Sequence, residues 1–248
     1  MAQRMAQGIA QIIALGGGGF LMEENPALDE YVLTQARAPR PAVAFVPTAS
    51  GDDDSSVGRF YAAFSRFSCR PSHLRLFHRT PDLREYLLTQ DVIYVGGGNT
   101  KSMLGVWREW GLPELLRAAW AAGVVLAGVS AGAICWFEQG LTDSYAGALR
   151  PLQALGFLAG SCCPHYDGEA ERRPTYHDLV RTGELLPGLA IDDGAAVHFV
   201  DGEIHRVVAS RRGVTAYRVR ASNGSTREEP LPVEFQTPGR FQSREDLG

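Results

Sequence analysis

The sequence is poor in cysteine, has no long apolar run and gathers charge of neither sign, and each of these absences removes a class of protein. Four cysteines occur in 248 residues, Cys69, Cys135, Cys162 and Cys163, with no Cys-x-x-Cys pair and two of them adjacent. That spacing suits neither a zinc site nor a disulfide framework, and it fits a reducing cytoplasm. The apolar run from Ile9 to Leu15 ends in glycines and is too short to cross a bilayer, and Arg4 is the one basic residue ahead of it. Neither membrane insertion nor secretion is therefore expected. Net charge is −4 and the arginines are scattered, with no basic stripe interleaved with aromatics, which argues against a nucleic-acid surface. An ordered Gly-x-Gly-x-x-Gly turn is also missing. Gly16 to Gly19 are four consecutive glycines and Pro26 follows soon after, so no dinucleotide site is expected. Asp52-Asp53-Asp54 lacks the alternation and closing Glu of a calcium loop, and helix capping is its expected role. No metal or other cofactor is expected.

What is present is an ordinary soluble composition, 45% hydrophobic and 21% charged, with no linker-like stretch. We read one α/β domain over residues 1–248, with a core at about 9–220 and a loosely packed tail at 221–248. Short apolar runs at 9–15, 41–47, 74–78, 91–95 and 123–127 predict strands. The segments between them, at 26–37, 57–67, 81–88, 101–109 and 113–122, predict helices. This alternation implies a mostly parallel sheet flanked by helices on both faces, with functional loops at the carboxyl ends of the strands. The pattern then changes. A helix is expected at 172–185, and short runs at 189–192, 195–200, 204–209 and 214–219, joined by turns such as Asp201-Gly202, predict antiparallel strands in the C-terminal third.

The stretch that carries chemistry is Gly128-Val129-Ser130-Ala131-Gly132, between the strand at 123–127 and the apolar segment 133–137. Gly-x-Ser-x-Gly between strand and helix is the pattern of a nucleophile elbow, in which small flanking residues let the chain turn sharply under an exposed serine. The backbone N–H of Ala131 then points toward an oxyanion formed on attack. The glycine loop Gly96-Gly97-Gly98-Asn99 follows the strand at 91–95, and its amides are candidates for the other half of that oxyanion hole. A serine hydroxyl needs a histidine to take its proton and an acid to orient that histidine. His165, in the loop Pro164-His165-Tyr166-Asp167, has the setting for this, whereas His73, His78, His177, His198 and His205 lie in or beside strands or on a helix. For the acid, Asp143 lies between Ser130 and His165, with Glu138 as the alternative.

Val95-Gly96-Gly97-Gly98-Asn99-Thr100, Gly128-Val129-Ser130-Ala131-Gly132-Ala133 and Pro164-His165, in that order, resemble the peptidase E family of serine peptidases. The fold of that family is similar to the class I glutamine amidotransferases, which carry cysteine at the elbow. The resemblance covers about residues 9–220. It implies Ser130 as nucleophile, His165 as general base and Asp143 as orienting acid, with Gly98 and Ala131 donating to the oxyanion. It also implies cleavage of short peptides, above all dipeptides with N-terminal aspartate, and a tendency to form dimers or higher homo-oligomers. Such a substrate calls for a cation, for which Arg172 and Arg173 are the candidates, although Glu169 and Glu171 flank them; Asn99 is a further candidate for substrate contact. The alternatives are a cyanophycinase-like peptidase, an esterase of the α/β-hydrolase type, and a binding protein that keeps the fold without competent geometry.

Overall fold

The computed structural model describes residues 8–22 and 25–239; Arg4 and the last nine residues of the expected tail lie outside them. Along the chain the elements are β1 (Gln11–Leu15), α1 (Ala27–Thr34), β2 (Ala42–Val46), α2 (Asp54–Phe64), β3 (Arg70–His73), α3 (Leu83–Leu88), β4 (Val92–Val95), α4 (Thr100–Glu109) and α5 (Leu112–Ala121). They continue with β5 (Val125–Val129), α6 (Ala131–Ile134), β6 (Phe137–Thr142), β7 (Arg150–Gln153), β8 (Leu158–Cys163), α7 (Arg172–Thr182) and β9 (Gly188–Ile191). The last are β10 (Ala195–Val200), β11 (Glu203–Ala209), β12 (Ala216–Ser222), β13 (Ser225–Pro230) and β14 (Val233–Phe235).

The strands form two sheets. The larger has the order β14-β11-β10-β1-β5-β4-β2-β3 and the smaller β13-β12-β9-β8-β6-β7. In the larger sheet β1, β5, β4, β2 and β3 run parallel, as the alternating pattern implied, and β10 joins antiparallel to β1. Side chains of a strand alternate between faces, and here both faces are dry. Ile13, Leu15, Val43, Phe45 and Tyr94 pack under Leu28 and Val32 of α1 and Phe60 and Phe64 of α2. Ile12, Ala14, Val46, Ile93 and Leu126 pack on the other side against Trp107 of α4, Leu116 of α5, and Phe137, Leu158 and Leu189 of the smaller sheet. The smaller sheet in turn buries Leu141, Cys163 and Ala190 under Tyr176 and Val180 of α7.

Several local expectations are corrected. The helix after the elbow is a single turn that ends at Ile134, and Phe137 already opens β6, whose partners β7 and β8 fall in a stretch to which no strand is assigned from sequence. The third strand is Arg70–His73 rather than 74–78; it is an edge strand, where Pro71 and polar side chains cost little. The stretch from 221 to 235 is largely strand, with Ala221 pairing to Thr226 and Val233 to Val207. In the acidic triplet, Asp53 caps α2 by accepting from the Ser56 N–H at 2.8 Å. Asp52 accepts from the Leu76 and Phe77 N–H groups, and Asp54 pairs with Arg75.

This topology decides what meets at one edge. The parallel strands β1, β4 and β5 end together, with Leu15 beside Val129 and Val95 beside Gly128. That brings the Gly16 run, the Gly96 loop and Ser130 side by side. Because β10 runs antiparallel and pairs Ala196 with Leu15, its first residues, and Asp193 just before them, reach the same edge. In the smaller sheet Cys163 lies beside Ala190, so the loops after β8 and β9 emerge together, carrying His165 and Asp193.

Candidate active site

The elbow is built by close packing. A Cβ on Gly128 would lie 2.2 Å from the Gly132 carbonyl oxygen, and one on Gly132 2.4 Å from that of Val95, so the turn closes with glycine at both ends. Ser130 sits at φ 58°, ψ −114°, a conformation that L residues rarely adopt and that persists only where the surroundings enforce it. Its N–H is held by the Leu15 carbonyl at 3.1 Å, and its own carbonyl accepts from Ala133 and Ile134. His165 also has positive φ, at 54°, with its N–H on the Gly16 carbonyl at 3.2 Å. Both residues are held by the end of β1.

The side chains form one continuous series. His165 Nε2 lies 2.8 Å from Ser130 Oγ, and His165 Nδ1 lies 2.6 Å from Asp193 Oδ1. The imidazole thus has a hydroxyl on one nitrogen and a carboxylate on the other, the arrangement that fixes the tautomer with Nδ1–H donating to the acid and Nε2 facing the hydroxyl. The glycine run is what makes room for the acid. A Cβ on Gly17 would fall 1.9 Å from Asp193 Oδ1 and 2.9 Å from His165 Nδ1, and one on Gly168 would fall 2.2 Å from Asp193 Oδ2. The preceding residue, Asp192, is buried, and that burial lifts its carboxyl to about 6 even though the Thr215 N–H donates to it.

A model of peptidase family S51 matches residues 12–207. The chain belongs to peptidase family S51. It is 54% identical over 227 residues to an uncharacterized peptidase of Bacillus subtilis, YgaJ, a match that covers 91% of this chain and 98% of that protein. Peptidase E of Shewanella denitrificans is 27% identical over 165 residues, covering 62% of this chain and 66% of the relative. The crystal structure of a peptidase from an acI-B1 actinobacterium shares the fold, with a TM-score of 0.71 at 17% identity, covering 91% of this chain and 96% of that one. Membership of S51 makes the chain a peptidase. Among the described residues no helix is long and apolar enough to cross a membrane.

Within this S51 peptidase the expected acid is not the carboxylate that lies beside the imidazole. Asp143 follows β6 and lies 3.8 Å from Arg172, whereas the nitrogen it was assigned is taken by Asp193. The reason is topological. β8, which leads to His165, has β6 on one side and β9 on the other, and the β9 side joins the larger sheet through the Gly17 to Asp193 bridge. The loop after β9 is therefore pressed behind the imidazole. Glu138, the alternative, lies in β6 and accepts from the Gly160 N–H at 2.7 Å.

The other candidate residues are accounted for as follows. Gly97 borders the nucleophile, since a Cβ there would lie 3.2 Å from Ser130 Cβ, and Gly98 packs against the Ala49 carbonyl. Ala131 is buried as the first residue of α6, where the N–H has no partner within the helix. Asn99 caps α4, accepting from the Ser102 N–H at 2.8 Å and donating to the Ser144 carbonyl at 3.3 Å. Arg172 has a side chain only 2% exposed, donating to Glu169 at 2.7 Å and to the Leu141 carbonyl at 3.2 Å. Arg173 is 58% exposed, ion-paired with Glu228 and stacked over the Tyr166 and Tyr217 rings. Glu228 also accepts from Tyr166 and lies 2.9 Å from His177. Burial acts to raise its carboxyl, but those hydrogen bonds and the Arg173 charge outweigh it and hold the group below the usual carboxylate range. Both arginines are thus engaged by carboxylates of the protein itself.

Proposed function

We propose that the protein is a serine exopeptidase that hydrolyses short peptides through an acyl-enzyme on Ser130, with His165 as general base and Asp193 as the acid that orients it. The observation that carries this reading is the imidazole held at 2.8 Å from the Ser130 hydroxyl and at 2.6 Å from the Asp193 carboxylate. In this mechanism Ser130 Oγ attacks the scissile carbonyl as its proton passes to His165 Nε2. The imidazolium, stabilised by Asp193, then gives that proton to the leaving amine, and a water activated by the same nitrogen releases the acyl group. The N–H of Ala131 and that of Gly98, carried by the peptide following Gly97, are the proposed oxyanion donors. Four free and buried cysteines support a reducing compartment such as the cytoplasm.

Selectivity for N-terminal aspartate would require Arg172 or Arg173 to exchange a protein carboxylate for that of the substrate. Arg172, buried and bound to Glu169 and the Leu141 carbonyl, would have to give up both, and Arg173 would have to leave Glu228. We therefore infer that hydrolysis is not confined to aspartyl substrates. The test is a panel of dipeptides and amino-acid amides with varied N-terminal residue, run on wild type and Ser130→Ala. Cleavage of several dipeptides by wild type and of none by the variant is the expected result. No cleavage by wild type, or equal cleavage by Ser130→Ala, would overturn the serine mechanism, and cleavage of aspartyl substrates alone would return the clamp to one of the two arginines.

A further inference from the structure

We propose that Asp167 and Arg211 are positioning residues that clasp the main chain of Asp193 and thereby aim its carboxylate at His165. The inference rests on the reading of Asp193 as the orienting acid. The two side chains are paired with each other, Arg211 Nη2 to Asp167 Oδ2 at 2.8 Å. Each also holds the same peptide residue from opposite sides. Asp167 Oδ1 accepts from the Asp193 N–H at 2.7 Å, and Arg211 donates through Nε at 3.1 Å and Nη2 at 2.8 Å to the Asp193 carbonyl. The N–H and the C=O of Asp193 are thus both fixed by one charged pair. Gly17 and Gly168 approach the carboxylate so closely that a Cβ on either would collide with it, so where the Asp193 backbone is held bears directly on where the carboxylate sits.

Placement explains why this matters for chemistry more than for folding. Asp167 is two residues after His165, so the clasp ties the loop bearing the base directly to the loop bearing the acid. Arg211 comes from the turn between β11 and β12, beyond residue 207, where the family match ends. That turn grips the acid loop elsewhere too, because the Ser210 N–H and hydroxyl both donate to the Gly194 carbonyl. The paired side chains are 49% and 34% exposed. An ion pair that open to solvent contributes little to stability, while a small displacement of an orienting group is felt strongly in the rate.

The test compares Asp167→Ala, Asp167→Asn, Arg211→Met and the Asp167→Ala/Arg211→Met double variant, with Asp193→Asn as control. The readouts are kcat and KM on a cleaved dipeptide, the thermal midpoint, and the downfield proton resonance of His165 Nδ1–H. We expect Asp167→Ala and Arg211→Met each to lower kcat by about tenfold to a hundredfold, with KM within about twofold. The imidazole resonance should shift or broaden while the midpoint holds. Asp167→Asn, which keeps an acceptor for the Asp193 N–H, should retain more activity than Asp167→Ala, and the double variant should lose little more than the worse single one, because the pair acts as a unit. Unchanged kcat and resonance in the clasp variants, with both lost in Asp193→Asn, would overturn the clasp alone. An Asp193→Asn protein with wild-type kcat and resonance would overturn the assignment of the acid and the clasp with it. A loss that follows the thermal midpoint or KM would make the pair merely structural.

Discussion

The two halves of the proposed catalytic series are built in different ways. On the nucleophile side one short stretch does most of it: Gly128 and Gly132 close the turn and two amides of α6 hold the Ser130 carbonyl, with the Leu15 carbonyl of β1 the one remote hydrogen-bond partner of its backbone. On the acid side no single stretch is sufficient. Asp193 is placed by the glycine run after β1, by Gly168 and Asp167 in the loop after β8, and by Arg211 beyond β11. Three remote segments converge on one carboxylate. The nucleophile turn is largely a local motif and the acid a tertiary one, so the acid should be damaged by substitutions at a greater distance in sequence from it.

The sharpest way to break that contrast is at the two centres themselves. Ser130→Ala should lower kcat at least about a thousandfold while the protein stays folded, and Asp193→Asn should cost about a thousandfold to ten-thousandfold through loss of the oriented tautomer. Both are read as kcat on a cleaved dipeptide. Next comes a residue distant from the acid in the chain. Gly17→Ala should drop kcat by about a hundredfold and stability by about 1–3 kcal/mol, as read by steady-state kinetics and urea unfolding. A Gly17→Ala enzyme of normal activity would mean that the glycine run does not seat the acid. Arg172→Met should act on the fold rather than on selectivity, costing about 1–3 kcal/mol because the buried Leu141 carbonyl loses its donor. A change in substrate preference with unchanged stability would contradict this.

The smallest effect concerns pH. His198, on β10, has its ring between the Tyr31 hydroxyl at 2.8 Å and Gln11 at 3.1 Å. Burial, reinforced by His205 and Arg206, pushes its imidazole down to about 4. Its folded pKa is therefore below its unfolded value, so its contribution to stability is complete above about pH 6.5 and is lost as the pH falls toward 4. His198→Gln should flatten the fall in urea midpoint between pH 7 and pH 5, and an unchanged slope would show that this residue does not drive it.

How much of this was legible follows from the same division. The elbow, the Gly96 loop and Pro164-His165 are contiguous patterns, and alternation of apolar runs is enough to place the first two at one edge of a parallel sheet. Asp193 belongs to no such pattern. Its signal was indirect: Asp192-Asp193-Gly194 separates two expected strands, and a run of four glycines without nucleotide-binding order called for some other close approach. Asp143 followed from chain order, which a mixed sheet does not respect. The start of β6 is hidden because Phe137 continues the apolar segment of the elbow, and β7 shows little because an edge strand with Arg150 and Pro151 carries little apolar signal. In the end of β12 and in β13, from 221 onward, the arginines and glutamates look like a polar tail in sequence, yet in the ladder Arg218 faces Glu229 and Arg220 binds the same carboxylate at 2.8 Å.

The central claim is that Asp193, and not Asp143, completes the series that begins at Ser130. The direct test is to measure kcat/KM on one cleaved dipeptide for Asp193→Asn and Asp143→Asn side by side with wild type. The account predicts a loss of about a thousandfold or more for Asp193→Asn and a change of no more than about threefold for Asp143→Asn. The reverse order of losses, or an Asp193→Asn enzyme as active as wild type, would contradict it.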